Sequence, residues 1–204
     1  SLYGGDFMKR TISFLLIILM IFSSVYASSF KDLSGSHWAY EYIMYLTSKN
    51  VINGYNDGTF KPNGTITNAE FIKLVVMAAL PDWISISDAE SSLNHWAGPY
   101  IWIAERYGVI NARSINLSNI DKPITRIEMV RIITKADLLM KGNSLATSEK
   151  VKFKDVLALS NNDLLYLKHA CSKNLITGYS DNTFKPYNNM TRAEAATMIY
   201  RFSK

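Results

Sequence analysis

A six-residue pattern occurs three times in this chain, and that recurrence limits the fold more than any other feature. Ile66-Thr67-Asn68-Ala69-Glu70-Phe71, Ile124-Thr125-Arg126-Ile127-Glu128-Met129 and Met190-Thr191-Arg192-Ala193-Glu194-Ala195 align on their threonines, with Thr125 lying 58 and Thr191 124 residues beyond Thr67. At those offsets Tyr42, Tyr100 and Tyr166 coincide, as do Ile43, Ile101 and Leu167. His37-Trp38-Ala39 matches His95-Trp96-Ala97. Phe30-Lys31-Asp32-Leu33 recurs as Phe153-Lys154-Asp155-Val156 and, more loosely, as Ile86-Ser87-Asp88-Ala89. Gly54-Tyr55-Asn56-Asp57-Gly58-Thr59-Phe60-Lys61-Pro62 recurs as Gly178-Tyr179-Ser180-Asp181-Asn182-Thr183-Phe184-Lys185-Pro186. Self-similarity of this kind marks a chain built from units that cannot bury their apolar faces alone and must pack on one another.

Each unit reads as a helix, a turn-rich connector and a second helix. The first helices are expected to begin at Ser36, Asn94 and Ser160, whose side chains can accept hydrogen bonds from first-turn N–H groups. They are expected to stop at Asn50, Gly108 and Asn174, residue types that take the left-handed conformation closing a helix. Ala39, Ile43 and Leu46, like Ala97, Ile101 and Ala104, recur three and four apart and give each helix one buried face. The second helices open with a capping box, Thr67 with Glu70, Thr125 with Glu128 and Thr191 with Glu194. Phe71, Leu74, Val75 and Ala78 follow at helical spacing, and Pro81 ends the run. Between the helices, Asp57-Gly58 marks a tight turn, with Phe60 returning to the core and Pro62 stiffening the exit. The fold class is therefore mainly α, three helix-turn-helix units around a common centre, over residues 28–81, 82–141 and 142–204. Pro81 to Ser87 and the polar run Lys141 to Lys150 read as joints.

Residues 1–27 read as an N-terminal extension followed by a signal peptide. From Met8 come Lys9-Arg10, an apolar stretch Ile12 to Phe22, and Ser23-Ser24-Val25-Tyr26-Ala27, the three parts of a secretory signal. The apolar core falls short of the roughly twenty residues that span a bilayer. Cleavage after Ala27 leaves about 177 residues, enough for a few small units sharing one core. No membrane partner is expected after cleavage. The net charge of +5 drops to +4 once Asp6, Lys9 and Arg10 leave, and its scattered residues give no reason to expect nucleic acid.

Other chemistries find little support. Cys171 is the only cysteine, so no intramolecular disulfide can form, and its place in a helix suits a small buried residue. His37 and His95 each lack a second ligand at useful spacing, and the Asp57-Gly58 turn lacks the acidic ligands of a calcium loop. Glu70, Glu128 and Glu194 recur like a repeated catalytic acid, but capping accounts for them. No nucleophile elbow, phosphate loop or paired His-Glu motif occurs. No enzyme, metal or cofactor is expected.

Phe-x-Asp, His-Trp-Ala, Gly-Tyr-x-Asp-Gly-Thr-Phe-x-Pro and Thr-Arg-Ala-Glu, in that order, resemble the S-layer homology family over roughly Phe30 to Lys204. The resemblance implies a pseudo-threefold bundle with outward prongs, secreted and held at the cell wall or cell surface. It implies attachment to pyruvylated secondary cell wall polysaccharide in grooves between repeats; in some envelopes the partner is a modified peptidoglycan or an outer-membrane-linked glycan. Three departures stand out. Asn68 replaces the motif arginine, the connector Asn111 to Lys122 lacks Gly-Tyr and Thr-Phe-x-Pro, and Asn161-Asn162 replaces His-Trp. They keep a second role open, a degenerate structural module that binds another exported protein and no glycan.

A pyruvate ketal presents a carboxylate on a sugar. Arg126 and Arg192, in first turns, offer a planar fork beside N–H groups at a positive dipole end. As exposed first-turn residues they are expected to contribute little to stability. Trp38 and Trp96 suit two roles equally, stacking on a pyranose or filling the joint between repeats. Tyr55 and Tyr179, each after a flexible glycine, Gly54 and Gly178, read as hydroxyl donors. Asp32 and Asp155 read first as residues ordering their own turns and second as sugar contacts. Complete grooves are expected where Arg192 meets Trp38 or Tyr55, and where Arg126 meets Tyr179.

Overall fold

Three helices begin where Thr-x-x-Glu places them. In the computed structural model, which describes residues 30–80, 84–111, 118–146 and 151–204, α2 (Asn68–Ala79), α4 (Arg126–Leu139) and α6 (Arg192–Phe202) each start one residue after the threonine. The glutamate carboxylate accepts the threonine N–H at 2.9, 2.8 and 2.9 Å in turn. The Glu70 and Glu194 N–H groups donate back to the Thr67 and Thr191 hydroxyls at 3.2 Å. The signal segment, Pro81, and parts of the Asn111–Lys122 connector and the Lys141–Lys150 joint lie outside the described residues.

The other helices are α1 (Tyr40–Ser48), α3 (Gly98–Arg106) and α5 (Asn161–Ser172). Ser160 caps α5 as expected, its hydroxyl accepting the Asp163 N–H at 3.1 Å. Ser36 and Asn94 do not cap α1 and α3. Those helices start after Ala39 and Ala97, which have no side-chain cap; the Ala39 and Ala97 N–H groups, one residue before the helix, donate to Nδ1 of His37 and His95 at 3.1 Å. At the far ends Asn50 (φ 56°), Gly108 (φ 72°) and Asn174 (φ 55°) take the left-handed conformation expected of them.

No outer helix packs mainly on the inner helix that follows it in the chain. Instead α3 lies on α2, α5 on α4, and α1 on α6, so the first described helix meets the last. At the centre α2 touches both α4 and α6. The backbone closes the same circle: Ile66 N–H donates to Met190 O at 3.0 Å, Met190 N–H to Ile124 O at 3.2 Å, and Ile124 N–H to Ile66 O at 3.0 Å. Around this ring the chain is mainly α, with only isolated bridges among the described residues. Phe60, Phe71, Phe184 and Phe202 are fully buried in the shared core, each contributing roughly 1.5–3 kcal/mol. Leu74 and Val75 join them, while Ala78 is half-buried.

The connectors explain the Phe-x-Asp motif. Asp32 accepts the N–H groups of Phe60 and Lys61 at 2.7 and 2.8 Å, and Asp155 those of Phe184 and Lys185 at 2.8 and 2.7 Å. Lys61 and Lys185 sit in the left-handed region at φ 58° and 55°, a strained placement for lysine that the carboxylate clamp holds. The two aspartates therefore order a corner some 30 residues away.

Candidate functional site

Two grooves contain the residues singled out from the sequence except Asp32 and Asp155, which line neither, and each draws on distant segments of the chain. The first, about 210 Å³, is lined by Trp38, Arg126, Gly178, Tyr179, Glu194 and Arg201, among others. The second, about 480 Å³, is lined by Trp96, Arg192, Gly54, Tyr55, Glu70 and Lys73, among others. Arg126 thus meets Tyr179, and Arg192 meets Tyr55, as expected. The tryptophans are distributed otherwise than one expected pairing: Trp96, not Trp38, shares the groove of Arg192.

The arginines are not solvated surface residues. Arg126 is 5% and Arg192 6% exposed, which corrects the expectation that they matter little to stability. Arg192 donates from Nη1 to the Glu70 carboxylate at 2.9 Å and from Nε to the Phe60 carbonyl at 2.8 Å. Its guanidinium lies 4.6 Å from the Tyr55 ring centroid and 4.8 Å from that of Phe60. Arg126 stacks in the same way, 4.7 Å from Tyr179 and 5.0 Å from Phe184, and donates to the Thr177 carbonyl. Its Nε has no acceptor among the described residues. Burial pulls its pKa below the ordinary arginine range, against the opposing influence of Tyr179 and Glu194.

The first-turn N–H groups are also occupied. Arg126 and Ile127 donate to the carbonyls of Asn188 and Pro186, and Arg192 and Ala193 to those of Gly64 and Pro62, at 2.8–3.0 Å. Asn68 and Ala69 do the same with Lys122 and Ile120. Donors that an isolated helix leaves to water or to a ligand here tie distant segments together, so no backbone amide from these first two positions is left for a carboxylate.

Tyr55 and Tyr179 donate their hydroxyls to Glu70 and Glu194, at 2.9 and 3.2 Å. Burial raises both phenol pKa values, with the nearby arginine acting in the other direction. Gly54 and Gly178 are not there for flexibility. A Cβ on Gly54 would come within 2.7 Å of Phe30 Cδ1, and one on Gly178 within 2.8 Å of Phe153 Cδ1, so each glycine admits the motif phenylalanine.

Trp38 and Trp96 are 59% and 53% exposed at the groove edges, beside His37 and His95. Of their two possible roles, filling a joint is the one this exposure contradicts. Residues the sequence did not bring forward complete the grooves. Lys73 stands in the Arg192 groove, its pKa lowered first by burial and then by Arg192, and Arg201 stands in the Arg126 groove. Helical spacing from Glu70 and from Thr197 gives both away in retrospect.

A third hollow, about 200 Å³, collects Asn68, Asn111, Glu128, Arg131 and Lys135, with no tryptophan or tyrosine. Asn68 donates its amide to the carbonyls of Asn119 and Lys122, filling the place an arginine takes elsewhere. Arg131 is held by Asp163 through two bonds of 2.6 and 2.8 Å.

The S-layer homology domain model matches residues 29–72 and 152–196 of the chain. Over 179 residues the chain is 29% identical to an amylopullulanase of Thermoanaerobacterium thermosulfurigenes, covering 86% of this chain and 9% of that one. It is 34% identical over 114 residues to a cellulosome-anchoring protein of Acetivibrio thermocellus, covering 53% and 26% respectively. An S-layer protein of Bacillus thuringiensis subsp. finitimus is 28% identical over 185 residues, 86% of this chain and 21% of its own. The chain spans 9%, 16% and 22% of the first three curated relatives, so most of each lies outside the match.

Proposed function

We propose that this chain, a carrier of S-layer homology domains at residues 29–72 and 152–196, binds pyruvylated secondary cell wall polysaccharide in the grooves of Arg126 and Arg192. Such domains attach proteins at the cell wall or cell surface. One repeat is assigned to each of 28–81, 82–141 and 142–204, with the grooves between them. The observation that carries the reading is the pairing, made twice, of a tryptophan more than half exposed with a buried arginine in one groove. A large aromatic left in water beside a cation suits a sugar that stacks its apolar face and carries an anion. The load would be any segment joined to the module.

The Arg192–Glu70 pair and the third hollow, where Asn68 stands in place of an arginine, favour a second reading, in which the same units serve as a packing surface for another exported protein. Co-sedimentation with purified walls separates the two. Binding to walls stripped of protein, and its loss when the secondary polysaccharide is chemically removed, supports glycan attachment. Equal binding before and after removal sinks it.

A further inference from the structure

The two arginine grooves are built on one plan but differ in how the arginine is neutralised. Glu70 Oε1 sits 2.9 Å from Arg192 Nη1, so that guanidinium already has its counter-ion. Glu194 occupies the matching place beside Arg126 and accepts the Tyr179 hydroxyl and the Thr191 N–H, as Glu70 accepts those of Tyr55 and Thr67, but it forms no ion pair with the arginine. Among the described residues no carboxylate comes within ion-pair distance of Arg126. Among the described residues one of its amino groups has only the Met190 sulfur, at 3.4 Å, a weak acceptor, and its Nε has none. A cation 5% exposed with neither counter-ion nor full hydrogen bonding is an expensive arrangement in a folded chain, and an incoming carboxylate would relieve it.

The rest of that groove agrees. Arg201 brings a second guanidinium with no ion pair among the described residues, and Trp38 stands exposed at the edge. The Arg192 groove offers Lys73 instead, a point charge without a fork. The Asn68 hollow has no first-turn cation at all.

Resting on the glycan-binding reading above, we propose that the Arg126–Trp38–Arg201 groove is the one strong carboxylate site among the described residues. The Arg192 groove, neutralised by Glu70, binds the same group at least tenfold more weakly.

The grooves report separately, because each holds its own tryptophan. The indole N–H signals of the full chain are assigned with Trp38→Phe and Trp96→Phe, then followed while a hexose bearing a 4,6-pyruvate ketal is added. The Trp38 signal should move at a concentration at least tenfold below that needed for Trp96. Glu70→Gln, which keeps a side chain able to cap α2, should bring the Trp96 midpoint down toward that of Trp38. Arg126→Lys, which keeps the charge and loses the fork, should raise the Trp38 midpoint tenfold or more. Movement of Trp96 first, or of both together, overturns the inequality while leaving glycan binding standing. A Glu70→Gln chain that titrates like the parent also overturns it, and does so even if Arg126→Lys fails to fold. If the methyl ester of the ketal acts as well as the acid, or if neither signal moves, the glycan reading and the inequality fall together.

Discussion

Replacing Arg192 by alanine should destabilise the fold, and by more than replacing Arg126. The Arg192 side chain is 7% exposed and bonds Glu70, whose own side chain is 20% exposed. Removing one member of a buried pair costs about 3–5 kcal/mol, because the other charge is stranded. Glu70 keeps the Tyr55 hydroxyl and the Thr67 N–H, which places the expected loss near the lower end, about 3 kcal/mol. A chain of this size melts about 2–4 °C lower per kcal/mol, so the midpoint should fall by about 6–12 °C. Arg126→Ala strands no carboxylate and forfeits mainly the bond to Thr177 and the stacking on Tyr179 and Phe184, an expected loss of about 1–2 kcal/mol. Thermal and urea unfolding followed by circular dichroism measure both. A fall of less than about 2 °C for Arg192→Ala, or a larger one for Arg126→Ala, would refute the reasoning, since surface changes stay within about 0.5 kcal/mol.

Gly178→Ala should cost about 1–3 kcal/mol through overpacking against Phe153, and Phe153→Leu in the same chain should recover part of it; an unchanged urea midpoint for Gly178→Ala speaks against the packing role. The hydrogen-bonded Arg131 fork holds the Asp163 carboxyl below its usual pKa, so its contribution is present above the unfolded value of about 3.9 and is lost as pH falls through the lower folded value. The stability gap between the parent and Asp163→Asn should therefore be full near neutrality and shrink as pH falls below about 4; a gap that widens with acid contradicts the pairing. Trp38→Ala should leave the melting temperature nearly unchanged, given its 59% exposure, and should weaken wall retention; a large loss of stability would return Trp38 to a structural role.

Local chemistry was legible and long-range pairing was not. Capping boxes at Thr67, Thr125 and Thr191 and left-handed closures at Asn50, Gly108 and Asn174 depend on residues a few positions apart, so sequence spacing alone places them. The bonds from the Ala39 and Ala97 N–H groups to His37 and His95 were hidden because Ser36 and Asn94 are the stronger cap formers by type. Arg192 looks like an exposed first-turn residue until the fold brings Glu70, 122 positions away, against it. Gly54 reads as a flexible hinge until Phe30 is seen lying across it. The offsets between repeats already aligned Arg126, Arg192 and Asn68; they carried no information on which unit's connector would close over each helix start.

Calorimetric titration of the whole chain with a soluble wall-polysaccharide fragment, intact and after mild-acid removal of its pyruvate, tests most directly whether this is a carboxylate-reading wall module. The intact fragment should bind at least tenfold tighter than the depyruvylated one, about 1.4 kcal/mol, with the advantage shrinking as salt is raised. Equal affinity for the two fragments, or no heat from either, would contradict it.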